Sequence, residues 1–358
     1  MIFPRRCSIA LAFLMFLCAA RLCRAEAPVE FLDLKAAKAA IVDDADEPYF
    51  SKLNAAEIAG RTGQPVVGEK LEAARADCRR RYQEGVREFT AAEQEMLRWY
   101  VARIGPIVKD YPAYADVPWS FIKVTNSVEA GMPHTRGKHI VLSEEALGIL
   151  TAIKAQNADN AMAFGGDVLI HEKSHVFQRY HPKLMAGLYA DVWHYRQATV
   201  KSDAWIDSRQ VTNPDGIVCD WVYGLSDSSW IWPLIILKDP DHPSLEQMRM
   251  VAVELTATEK GFAVKADADG KPVVHDLMKI KEYREAFAPS GNIYHPNETE
   301  ADLFASMVVD DDRKAHGMKP LHSGDGKDLA SQHFDALRAW CRKNMGSSEE
   351  KTGGKKQP

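Results

Sequence analysis

His171-Glu172-Lys173-Ser174-His175 places two imidazoles four residues apart with a carboxylate beside the first. On a helix, residues four apart share one face, so His171 and His175 can aim nitrogens at a single metal ion while Glu172 stands over its open position. A catalytic zinc site needs a third protein ligand and keeps a fourth position for water. That ligand must come from elsewhere in the chain, and Asn297-Glu298-Thr299-Glu300-Ala301-Asp302 offers it.

The elements that must position these groups are read from their flanks. Asp167 is expected as the N-cap of the first helix after a Gly165-Gly166 break, Val168-Leu169-Ile170 and Val176-Phe177 make it a buried helix, and Pro182 stops it near Tyr180. Imidazole and carboxylate groups in so apolar a run are unfavourable unless they are paired or bind metal. Two residues compete for the third ligand. His181 sits where metzincins place a third histidine, but Gln178 replaces the glycine that would turn the chain. Without that turn His181 lies roughly 9 Å further along the axis than His175, at 1.5 Å per residue.

Geometry therefore favours Glu298. After Pro296, Asn297 reads as an N-cap and Glu300 as its capping-box partner, leaving Glu298 in the first turn. Ala301 and Ala305 are small enough for this helix to approach the His171 helix closely. Asp302, one turn beyond Glu298, can accept a hydrogen bond from a ligand imidazole.

Taken together, the two segments resemble the gluzincin metallopeptidases. Asn297-Glu298-x-x-x-Asp302 is similar to the N-E-x-x-x-D of thermolysin-like enzymes, and the E-x-x-A-D core to that of CAAX prenyl endopeptidases. The stretches from Val168 to Pro182 and Ile293 to Val309 resemble secreted bacterial zincins that carry H-P-x-E-x-x-A-D. The resemblance covers two short helices and a strand. It implies that Glu298 binds zinc and that Asp302 orients a ligand histidine. The 122 residues between His175 and Glu298 far exceed the thermolysin-like spacing, so the resemblance carries over neither the intervening fold nor a specificity pocket.

The N-terminus reads as an export signal. Arg5 and Arg6 precede an apolar run from Ile9 to Ala20, and Cys23-Arg24-Ala25 offers a cleavage point before Glu26. That run is short for a membrane span. Residues flanking Cys18 and Cys23 are poor precursors for lipid attachment, so a secreted or periplasmic protein without stable membrane insertion is expected. Four of the 45 basic residues and none of the 50 acidic ones lie in residues 1–25, which leaves 41 basic against 50 acidic residues afterwards. So acidic a balance gives no basis for nucleic-acid binding. Cys78, Cys219 and Cys341 remain, compatible with one disulfide or with small apolar filling.

The chain reads as α+β and mainly helical, with a zincin-like catalytic region and few strands. Its expected order is a signal peptide (1–25), an N-terminal helical region (26–115), a catalytic region (116–345) with a long insertion (183–290), and a disordered tail (346–358) without apolar side chains. Thr90-x-x-Glu93 is a capping box opening a helix to about Ile104. Trp119 to Thr125 and His139 to Leu142 read as strands, the second as an edge beside the cleft, and Ser143 caps the helix that follows. Trp193, Trp205, Trp221, Trp230 and Trp232 read mainly as core of the insertion.

The expected chemistry is hydrolysis of a peptide or protein substrate. Zinc (Zn2+) polarises the carbonyl and acidifies water, while Glu172 takes the proton of the attacking water and returns it to the leaving amine. Tyr223, His194, Tyr294 and His295 are candidates to stabilise the oxyanion. Two other readings are a zinc hydrolase of a non-peptide amide or ester and a non-catalytic secreted zinc-binding protein. A purely structural site, however, normally fills its fourth position with Cys or His.

Overall fold

The computed structural model describes residues 28–66, 70–324 and 326–346. The expected leader, and the tail beyond Gly346, lie outside these residues. Helices of eight or more described residues are α1 (Ala55–Thr62), α2 (Leu71–Gly85), α3 (Ala91–Val108), α4 (Glu144–Gln156), α5 (Asp167–Tyr180), α6 (Pro296–Ala315) and α7 (Leu329–Asn344). Two sheets complete an α+β fold.

The first sheet contains β1 (Val29–Phe31), β2 (Val86–Arg87), β3 (Trp119–Val124), β4 (His134–Arg136) and β5 (His139–Ser143). Parallel β3 is its centre, flanked by β1 and β5, and β4 continues antiparallel to β5. Every residue of β3 is buried. Trp119 and Phe121 join the main helical core, while Ile122 and Val124 alternate onto the other face against α2 and its neighbours. The two polar side chains of β3 are partnered, Ser120 with Glu30 and His139 and Lys123 with Glu93, and the other four residues are aromatic or β-branched, which is why the sequence marks the strand clearly.

β5 is paired on both sides, by β3 and β4. The edge of this sheet near the cleft is therefore β4, not His139 to Leu142. Hairpin pairing through the tight Gly137 turn puts His134 to Arg136 outermost. The capping expectations upstream hold: Thr90 and Glu93 form a capping box, and Ser143 accepts from Ala146 N at the start of α4.

The insertion between α5 and α6 folds mainly as a second sheet, built from β6 (Tyr195–Gln197), β7 (Val200–Lys201), β8 (Trp221–Ser226), β9 (Ser229–Leu237), β10 (Met248–Thr258), β11 (Gly261–Val264) and β12 (Val274–Asp276). Antiparallel β8, β9 and β10 form its middle. Trp232, Leu234, Val251 and Val253 make its own core, while Trp193 and Trp221 belong to the main core. These tryptophans thus serve packing. Cys78, Cys219 and Cys341 are unbridged, and the first and last are buried.

α5 and α6 pack against each other inside the main core, where Leu169, Ile170, Phe177, Phe304 and Ala305 meet. Among the described residues, no helix is long and apolar enough to cross a membrane. Ala305 is fully buried at this junction. Ala305→Leu should therefore lower stability by about 1–3 kcal/mol through overpacking, measured by urea denaturation; unchanged stability would show slack between the helices.

Candidate metal centre

α5 starts differently from the sequence expectation. Residues 158–166 are already helical, the last six as a π-helical turn, so Asp167 lies inside a continuous helix and makes no cap. Gly165 and Gly166 do not break it. They are packing positions: a Cβ on Gly165 would stand 2.5 Å from the Tyr100 hydroxyl, and one on Gly166 2.7 Å from Met162 Cε. The helix does end at Tyr180, with Pro182 opening the next short helix.

The start of α6 is also shifted. His295 is its N-cap, held extended before Pro296, and its Nδ1 accepts from Asn297 N. Asn297 is then free to donate from Nδ2 to Asp215 O at 2.9 Å. Glu300 forms no capping box. It is fully buried and accepts from Gln178 Nε2 at 2.6 Å.

With both helices in place, His171, His175 and Glu298 converge. Their Nε2 atoms lie 3.1 Å apart, and the Glu298 carboxylate spans them, Oε2 3.5 Å from His171 and Oε1 3.5 Å from His175. Among the described residues this is the group of His, Cys, Asp or Glu close enough to hold a metal. His181 is not part of it. That ring packs on Phe177, with centroids 4.6 Å apart, beyond the end of α5.

The hydrogen bonds around the imidazoles fix their tautomers. Gln178 donates from its amide nitrogen to Asn297 O and Glu300, so its Oε1 must accept from His175 Nδ1 at 3.0 Å. Asp302 likewise accepts from His171 Nδ1 at 2.9 Å. Ser290 and Asn292 donate in turn to Asp302. Both imidazoles therefore turn an Nε2 lone pair towards the other and towards a carboxylate. Such a cluster can hold a cation at its centre, and the edges of a tetrahedral zinc site are roughly 3.3 Å. The donor set and spacing fit a metal ion.

Titration behaviour has the same origin. Burial disfavours charge on His175, yet Glu298 and Asp215 outweigh it and hold the imidazole up at about 9. His171 is also raised despite burial, by Asp302 and Glu298, and the two imidazoles hold buried Glu298 well below the usual carboxylate range. The neighbouring carboxylates thus favour positive charge at this place. Glu172 goes the other way: burial, reinforced by Asp215, pushes its carboxyl up to about 8. Its Oε2 is buried without a hydrogen-bond partner.

These groups open onto a cleft of about 290 Å³ lined by His171, Glu172, Glu298, Tyr294, His134 and Asp215. Of the four oxyanion candidates, Tyr294 is in this lining. Tyr223 packs among Tyr195, Tyr283 and Phe287, His194 is exposed, and His295 is engaged by Asn297 N and Val218 O.

Several groups escape a reading of the sequence. The segment Val211–Ile217 straps across the cleft: Asn213 Nδ2 donates to Glu298 Oε1 at 2.6 Å, and Asp215 accepts from Thr135 N on β4 at 2.6 Å. Arg179 donates to Pro214 O, and Gly216 passes so close to Asn297 that a Cβ would stand 2.5 Å from its Nδ2. Asn213-Pro214-Asp215-Gly216 is legible as a turn, but its partners 80 and 85 residues away are not.

Gln178→Ala should leave the His175 ring unanchored and weaken metal binding by roughly 10–100-fold, read by competition with a chromogenic chelator; undiminished affinity would exclude the anchoring role. Burial raises the Glu300 carboxyl from 4.5 to about 7. The folded protein then keeps a proton that the unfolded chain releases, so stability falls as pH rises through that window. Glu300→Gln should flatten this fall in metal-free denaturation curves, and parallel pH profiles of the two proteins would refute it.

No family model, no curated protein and no solved structure matches this chain, so the reading of the site rests on its geometry.

Proposed function

We propose that the protein is a secreted or periplasmic zinc metallopeptidase of gluzincin type, released from a leader cleaved near Ala25. One observation carries the reading: two imidazole lone pairs and a carboxylate converge beside a buried, unpartnered glutamate. His171, His175 and Glu298 would hold zinc, which supplies Lewis-acid polarisation of a carbonyl and acidification of water. A purely structural site has no use for Glu172 in that position.

The chain's own groups divide the remaining work. Glu172, with its raised proton affinity, takes the proton of the attacking water and delivers it to the leaving amine. Asp302 and Gln178 hold the two rings in register, and Asn213 holds the Glu298 carboxylate. Burial keeps the Tyr294 phenol protonated, leaving it a donor towards charge developing on the substrate oxygen. A peptide is the substrate class that the resemblance of the two motif segments to gluzincins implies.

Glu172→Gln should keep one zinc per chain while peptide hydrolysis falls by roughly 10²–10⁴-fold, measured by metal analysis and a quenched-peptide library. Bound zinc with turnover unchanged by this substitution would end the catalytic reading. Hydrolysis of esters alone would end the peptidase reading.

A further inference from the structure

Next to the catalytic cleft runs a second, larger concavity of about 510 Å³, walled by Met132, Ile149, Ile153, Phe164 and Val168. Met132 and Pro133 line both and form the ridge between them. Met132, Ile149 and Phe164 are 43, 53 and 57 % exposed, three of the seven exposed large apolar side chains among the described residues. Single exposed apolar residues need no explanation, but a contiguous set beside a candidate active site marks a binding surface.

Its charged groups decide what it binds. Two acidic residues, Asp167 and Glu145, stand in the lining and no basic residue does. Asp167 Oδ1 is buried and no hydrogen bond reaches it. A buried carboxylate oxygen without a donor is unfavourable unless a ligand supplies one. Asp167 also precedes His171 by four residues, so it lies on the same helix face about 6 Å along the axis. That offset suits an extended side chain whose backbone lies at the cleft.

On the reading of the site as a peptidase, we infer that this groove is its main specificity pocket and takes a lysine or arginine side chain next to the scissile bond. The aliphatic stem lies on Met132, Ile149 and Phe164, and the cationic head reaches Asp167, with exposed Glu145 adding attraction at the mouth. Long basic side chains suit such a surface because their stems bury while their heads keep hydrogen-bond partners. A purely apolar side chain would fill the same walls and leave Asp167 Oδ1 without a hydrogen bond, with His322 and His171 as the positive charges nearest that carboxylate. An acidic side chain would be repelled.

The test uses the full zinc-loaded protein and peptides of one scaffold that differ only at the positions flanking the scissile bond. Lysine or arginine at one of them should raise kcat/KM at least about tenfold over leucine and more over glutamate. Asp167→Asn, which preserves shape, should abolish that preference while zinc stays at one per chain. Ile149→Ser, at an exposed position, should weaken basic and apolar peptides alike by raising KM. Binding of the same peptides to the zinc-free protein, followed by fluorescence anisotropy, reads the groove independently of turnover. Tighter binding of the basic peptides, lost in Asp167→Asn, supports the groove even if nothing is cleaved, in which case the peptidase reading alone fails. Cleavage or binding that favours leucine or phenylalanine, or that ignores Asp167→Asn, overturns the inference.

Discussion

Two imidazole nitrogens 3.1 Å apart, each with its lone pair turned inward, and a carboxylate 3.5 Å from both form the constraint to which the rest of the fold answers. Left to themselves these groups would separate, since lone pairs and an anion repel. They are held together from outside. Gln178 and Asp302 secure the far side of each ring, Asn213 secures the carboxylate, and each of these is itself tied down. The carboxylates around the rings favour positive charge on both imidazoles, and the same arrangement is close enough to hold a metal ion.

Rigidity of this kind requires helices that cannot slide. α5 and α6 are buried along most of their length, and the packing between them involves Phe177, Phe304 and Ala305 rather than mobile surface chains. The Tyr114 hydroxyl donates to Ile170 O, one residue before the first ligand, and Lys173 donates to Val117 O, so the sheet side of the protein also grips α5. The insertion contributes through its strap rather than its sheet. Val211–Ile217 brings Asn213 and Asp215 across from the other half of the chain, and Asp215 shapes the electrostatics of Glu172 and His175 from there.

What the sequence discloses follows the range of the interaction. His171, Glu172 and His175 are legible because helical spacing is local chemistry, and β3 because Trp119, Phe121, Ile122 and Val124 make four of its six residues aromatic or β-branched. Glu298 is legible through its neighbours in the chain and Asp302 through its one-turn offset. The caps of α5 and α6 differ from their reading, since Asp167 and Asn297 are good capping residues in isolation but tertiary demands take them: a π-helical turn runs straight into α5, and the unusual cap His295 frees Asn297 to reach Asp215. Glu300 goes from cap to buried partner of Gln178 for the same reason. The seven-stranded sheet and the strap depend on pairings across tens of residues, to which local composition is blind.

The contact between Asp215 and Thr135 has a meaning beyond the site. β4 is an outer strand, and an outer strand with a free N–H row is a template on which another molecule's strand can add, the first step towards aggregation. Here the Thr135 N–H, which points away from β5, is taken by a carboxylate, and Arg179 crosses to the Thr135 hydroxyl and to Pro214 O. A charged turn is a poor surface for a second sheet to grow on. The loop that completes the cleft thereby also closes the sheet to its own copies, so loosening the strap would expose the protein to self-association as well as altering its chemistry.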